Sequence, residues 1–357
     1  MVQNVANGVV AAYVRLAWGQ LPFAPHSALS LVDGGMGRQD HSLARDPLAP
    51  HVPTAGKTMN ITTLPLTDEH LGDAIRFLRS ANPFAEHTWG WETGRFLDWR
   101  WGGNILRDRA EPGFFERNGT VVMRGNDIAA LVIAERGAED HCILTTTDDA
   151  QLFDASLAWL LEERDGRPSI FYPSDEATWL HDVLAAHGFE KGAVEEVGWG
   201  FDLAQLDDLP ETPDSFALDH VSGESDYPEL ARCLEGAFGG VGDRIAVLRS
   251  LARNPQYQPE LNVVARSADG RIASYCRGTV DADTGVGSID PVATHPDFQG
   301  NGLGRAVVLA CFAAQARLGG TDIYIGSGPE GSAGSRLYRK LDPVSKISYS
   351  EWSRPGA

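Results

Sequence analysis

Phe298-Gln299-Gly300-Asn301-Gly302-Leu303-Gly304-Arg305 joins an alternating apolar run, Gly287 to Thr294, to a run with helical spacing from Leu303 to Leu318. Glycines at 300, 302 and 304 let main-chain N–H groups approach a ligand with no Cβ in the way. A helix that starts at such a turn adds unpaired donors and a partial positive charge. The order strand, glycine-rich turn, helix therefore predicts a cradle for a phosphate or pyrophosphate.

The chain around this junction has 357 residues, too many for one small core, so two domains are expected. Its formal net charge of −19 opposes a general nucleic-acid binder, because nothing offsets bringing that field up to phosphates. Solubility explains the excess acid, and attraction of amine-bearing substrates is the functional alternative. The cysteines, Cys142, Cys233, Cys276 and Cys311, form no CxxC pair and read as reduced core thiols of a cytoplasmic protein. No window is apolar enough to span a membrane, and the ten histidines show no metal-ligand spacing, so no metal is expected. Residues 1–58, loose in Pro, Gly and His, read as a disordered leader without a secretory signal.

From Met59 onward the pattern is written twice. In the second half Phe216 to His220 alternates as a first strand, and Ser222 or Ser225 caps a helix carrying Leu230, Leu234 and Phe238. A helix with Ile245, Leu248 and Leu251 stops near Asn254-Pro255. Strands at Leu261 to Ala265 and Ile272 to Val280 precede the glycine-rich junction. A strand from Asp322, a helix over Ser332 to Leu341 and a terminal strand near Trp352 follow it. The first half repeats this with strands at Ile61 to Leu64, Thr120 to Met123, Ile128 to Glu135, His141 to Thr145, Ser169 to Tyr172 and Val194 to Leu203. Its helices fall at Leu71 to Leu78, Gln151 to Glu163 and Thr178 to Ala186. An offset of 154 aligns Thr145–Phe189 with Gln299–Pro343 without a gap. The expected organisation is a first copy over 59–205, an acidic linker over 206–214 and a second copy over 215–357.

A dinucleotide fold places its glycine-rich turn near the start of a βαβ unit, whereas here an antiparallel hairpin precedes it. A P-loop needs Gly-Lys-Ser/Thr, which is absent. Gln299-x-x-Gly302-x-Gly304 instead resembles motif A of the GCN5-related N-acetyltransferase (GNAT) superfamily. Val292 to Phe298 resembles that family's strand-to-loop entry, and Leu337-Tyr338-Arg339-Lys340-Leu341 its tyrosine helix. Two halves with one intact motif are similar in architecture to mycothiol synthase and related tandem acyltransferases. The resemblance implies an α/β protein made of two tandem GNAT folds, each a mixed, mostly antiparallel sheet flanked by helices.

It also implies acetyl-CoA or another acyl-CoA as co-substrate and a small-molecule amine as acceptor. The main chain of Gly300, Asn301, Gly302, Leu303, Gly304 and Arg305, entered through Gln299, would hold the pyrophosphate. Arg305 either adds charge there or is a surface residue. Val292, Ala293 and Thr294 occupy the strand that pairs with the pantetheine arm in the family. Tyr338 stands where the family places its general acid, against the alternative of a core tyrosine. Ser288 falls where relatives carry a glutamate base. Asp290, two residues on and on the same strand face, is a base, a counter-ion or an ordinary edge carboxylate. Gly331-Ser332 and Asp342-Pro343 depart from the usual Asn and Gly-Phe. A non-catalytic acyl-CoA-binding module and a peptide or protein N-acetyltransferase remain as alternative functions.

The first copy has Asp148, Asp149 and Ala150 where the second has Gly302, Leu303 and Gly304, and Leu184 where Tyr338 stands. Two carboxylates would repel a pyrophosphate, so a shaping role is expected of that copy. His87 to Trp101 carries four tryptophans, which favour packing between the halves over lining an acceptor cleft.

Overall fold

A computed structural model describes residues 61–102, 114–135, 139–146, 149–205, 213–239 and 243–355. The expected leader over 1–58 and residues 206–212 of the expected linker lie outside them. The first half comprises β1 (Thr62–Pro65), α1 (Leu71–Ala81), α2 (Thr93–Trp101), α3 (Phe114–Asn118), β2 (Gly119–Arg124), β3 (Asp127–Ala134) and β4 (Asp140–Thr145). It continues with α4 (Ala150–Arg164), β5 (Ile170–Phe171), α5 (Thr178–Ala186) and β6 (Glu190–Asp202). The second half runs β7 (Phe216–His220), α6 (Tyr227–Phe238), α7 (Arg244–Leu251), β8 (Asn262–Ser267), β9 (Ile272–Val280) and β10 (Val286–Thr294). Then come α8 (Leu303–Arg317), β11 (Asp322–Ser327), α9 (Ala333–Tyr338) and β12 (Ser345–Ser353).

The twelve strands among the described residues form one sheet in the order β1-β2-β3-β4-β5-β12-β6-β11-β10-β9-β8-β7. Pairing is antiparallel except at β4–β5 and β10–β11, which are parallel. The two halves exchange their last strands. β6 of the first half lies against β11 of the second, and β12 of the second lies against β5 of the first. The cores follow the exchange. Val197, Trp199 and Phe201 of β6 pack with Val307, Phe312 and Ile323 of the second half. Trp352 of β12 packs with Phe171, Leu180 and Leu184 of the first. Neither half, divided at 205 and 215, closes its sheet alone.

Two local expectations are corrected. Asp226, rather than Ser222 or Ser225, immediately precedes α6, and Ser222 donates to it from both N–H and Oγ. The helices α4 and α8 open at Ala150 and Leu303, so the offset at the junction is 153 and Asp149 takes the place of Gly302. Asp148 lies outside the described residues.

Candidate active site

β10 and β11 pair only over Val286–Ser288 and Asp322–Tyr324 and then separate. On its other side β10 stays on β9, with a register shift between Ile289 and Val292 that takes up Asp290 and Pro291. Pro291 has no N–H to give, so a bulge is where a strand can hold it. Beyond the bulge, Val292, Ala293 and Thr294 pair with Cys276, Tyr275 and Ser274 of β9. Their outer edge has lost β11 and offers main-chain groups to an extended ligand.

The chain then turns through Gly300 and Gly302 at φ of 83° and 77°, the left-handed region that glycine adopts without strain. A Cβ at either position would meet nothing within 4 Å, so the turn faces open space. Gly302 caps α8, whose first intrahelical bond from outside its span is Ala306 N–H to Gly302 O. The main-chain N–H groups of Gly300, Asn301, Gly302, Leu303, Gly304 and Arg305 find no acceptor among the described residues. Gln299 and Asn301 brace the turn by donating to Thr294 O and Phe298 O, at 3.3 Å and 3.0 Å. Arg305 is exposed and forms no ion pair among the described residues. Six unpaired donors around two left-handed glycines at a helix start fit a pyrophosphate. At the matching junction of the first half, Asp149 Oδ1 accepts from Leu152 N at 3.0 Å, and Oδ2 pairs with Arg124 at 2.8 Å. A carboxylate there already occupies the space of an anion.

The cleft beside the bulge is closed by α2 of the first half. Glu92 caps that helix, accepting from the N–H groups of Gly94 and Arg95. Burial raises its pKa, opposed by a hydrogen bond from Ser288. A carboxylate of the first copy thus stands beside Ser288, the position at which the resemblance implies a glutamate in relatives. Nearly two turns on, Asp98 accepts two hydrogen bonds from the guanidinium of Arg277 on β9, one of them at 2.9 Å. Arg95 donates to Glu135 at 2.8 Å and lies 3.7 Å from Glu196, which accepts from the Tyr324 hydroxyl.

Asp290 is solvent-accessible at the edge of this group. Desolvation by the surrounding protein raises its pKa to about 6; Arg277 and Arg95 oppose the rise, and Asp98 and Glu196 reinforce it. Tyr338 is buried in the second-half core at the end of α9. Burial, with Cys276 and Asp290 nearby, drives its pKa well above the usual phenol value. Its hydroxyl has no hydrogen-bond partner among the described residues.

Glu92, Asp98, Arg95 and Glu196 were not singled out from the sequence. The only signal was the tryptophan-rich stretch that carries three of them. Trp89, Trp91 and Trp99 are buried in the first-half core rather than between the halves, while Glu92 and Asp98 of that stretch reach Ser288 and Arg277 of the second half. All four cysteines are buried and free. No group of metal-ligating side chains occurs among the described residues, and no described helix is long and apolar enough to cross a membrane.

Residues 237–342 match the family model described as Acetyltransferase (GNAT) family, a span that includes the glycine turn, the bulge and Tyr338. This part of the second half is thus similar to the GNAT acetyltransferases, a family of acyl transfer that typically binds acyl-CoA. The whole structure is similar to a GCN5-related N-acetyltransferase from Sphaerobacter thermophilus, with 20% identity and a TM-score of 0.56 over 83% of this chain and 97% of that one. A tandem GNAT protein from the clavulanic acid biosynthesis pathway is similar at 14% identity and a TM-score of 0.56, covering 82% and 98%. At these identities the likeness shows the fold, that of a tandem GNAT protein. No curated protein matches the sequence.

Proposed function

We propose that the chain is an acyl-CoA-dependent N-acyltransferase that transfers an acetyl or other acyl group to a primary amine of a small molecule. The observation that carries this reading is the run of six unpaired N–H donors, 300 to 305, opening beside the split of β10 from β11. Acyl-CoA, when bound, supplies an activated thioester carbonyl. Gly300 to Arg305 would hold its pyrophosphate and the outer edge of Val292 to Thr294 its extended arm. Asp290 takes a proton from the acceptor ammonium, directly or through water, and Tyr338 Oη gives one to the leaving sulfur. The carboxylates of Glu92, Asp98, Glu196 and Asp290 outnumber the arginines in the cleft, which favours a cationic acceptor.

Acetyl-CoA incubated with a panel of amino sugars, amino-acid derivatives and peptide N-termini tests the reading through release of free thiol. Release with a small amine is expected. Tight acyl-CoA binding with no release from any amine would leave a non-catalytic CoA-binding module, and release from peptides alone a protein N-acetyltransferase.

The pH dependence follows from Asp290. A base must be ionised, so the rate is expected to rise with pH through about 6. Asp98 pairs with the guanidinium of Arg277, whose charge also acts on Asp290. In Asp98→Asn a nearby negative charge is lost and that of Arg277 is no longer neutralised by it, and both changes lower the Asp290 pKa. The acid limb of the kcat/KM profile should move down by about 1 unit. An unmoved limb would remove Asp98 from any role in tuning the base.

A further inference from the structure

At the opposite end of the first-half sheet, α4 ends on a buried arginine without an ionic partner. Arg164 is 7% exposed, and its Nε has no hydrogen-bond acceptor. One terminal nitrogen donates to Pro168 O, and no carboxylate pairs with the guanidinium among the described residues. Burial lowers its pKa and the neighbouring charge of Arg167 lowers it further, opposed by the charge of Glu139. Arg167 is itself held in place by donating to Arg164 O at 2.8 Å and Glu163 O at 3.2 Å. A buried cation with no carboxylate in direct contact is costly, and buried Nε groups are ordinarily satisfied. Nothing in the acyl-transfer site uses either arginine.

Both arginines line a cavity of about 460 Å³ between α4 and the strands β1 to β4. That size lies within the range of small-molecule pockets. Its other walls include Leu64, Pro65, Val132 and Trp159. Leu64 is 42% exposed on the edge strand, an unusual setting for a leucine in a strand of four residues. The rim acids Glu116 and Glu163 are exposed and leave Arg164 unpaired. A buried guanidinium beside apolar walls matches an anion that carries an apolar body. A guanidinium pairs strongly with a carboxylate, and here one terminal nitrogen has no partner among the described residues.

We propose that this cavity binds a small organic carboxylate with an aromatic or aliphatic body, giving the first half a ligand site separate from the acyl-CoA site. The carboxylate would take the terminal N–H groups of Arg164 not bonded to Pro168, with Arg167 adding charge at the mouth and Trp159 and Leu64 covering the body. The site rests on residues of the first half alone and stands whether or not the second half turns over an amine.

Calorimetric titration of the full-length chain with phenylacetate tests it, with phenylacetamide as the neutral probe of the same shape. Saturable phenylacetate binding at or below about 1 mM is expected, with the amide at least tenfold weaker. Arg164→Gln should weaken phenylacetate at least tenfold while CoA binding at the second half stays unchanged. Should that variant fail to fold, Leu64→Asp places a negative charge at an exposed wall position and should produce a similar loss. No saturable binding, equal binding of acid and amide, or undiminished binding by the folded variants would overturn the proposal.

Discussion

Gly302→Asp should abolish useful CoA binding while leaving the fold intact. Gly302 has a φ of 77°, and aspartate is among the few L residues that tolerate that region. A Cβ there meets no neighbour, so steric loss is small. The new carboxylate acts in two ways. It can accept from the N–H groups at the start of α8, as Asp149 accepts from Leu152 at the matching junction of the first half. It also places a negative charge where a pyrophosphate would lie, worth about 1 kcal/mol at 4 Å in bulk water and about 4 kcal/mol in a partly shielded site. A loss of about a hundredfold in CoA affinity is expected, measured by calorimetry. Gly302→Asn separates charge from backbone effects, because asparagine has the same shape and also tolerates positive φ. It should lose no more than about tenfold. Equal losses in the two variants would assign the effect to the turn, and near-normal CoA affinity in Gly302→Asp would refute the cofactor assignment.

The comparison of the two junctions shows how far sequence alone reaches. Strand and helix spans such as Phe216–His220, Ile272–Val280 and Thr178–Ala186 fall where periodicity and turn residues place them. These are local features, set by side-chain spacing along the chain. The glycine cradle was legible for the same reason, since the turn and its helix lie within eight residues. The gapless alignment missed by one residue at the point that mattered, because a helix start is fixed by its cap rather than by a running count. The corrected register makes Asp149 the direct counterpart of Gly302, which strengthens the contrast between the copies.

What periodicity does not carry is which strand pairs with which. β6 and β12 are each ordinary strands in sequence, and nothing in either records that it closes the other half. The exchange explains why the first half persists without its own cradle. It supplies β6, and therefore Glu196 and Trp199, to the sheet that carries the candidate site. It also supplies α2, and therefore Glu92 beside Ser288 and Asp98 on Arg277. Ser288 viewed alone suggests a lost base. Beside Glu92 and Asp290 it belongs to a cleft whose carboxylates come from both copies. Separated halves should for the same reason lack a competent site, whatever their solubility.

Tyr338→Phe should lower kcat by about a hundredfold or more and leave CoA affinity within about twofold of the parent. The substitution removes one oxygen from a ring that is 6% exposed and packed with Leu303, Val307 and Leu341. No described residue hydrogen-bonds that hydroxyl, so its loss orphans no buried partner and stability should hold. Burial and the nearby Asp290 keep the phenol protonated well above neutral pH. A proton retained across the working range suits a group that gives it up only as negative charge develops on sulfur. The variant should therefore show its defect at every pH from 6 to 9 in parallel with the parent profile. Thioesters whose thiol is more acidic than that of CoA need less help in leaving, so with them the defect should shrink. An equal defect for all thioesters would make Tyr338 a packing residue of α9, and unchanged turnover would remove it from the chemistry.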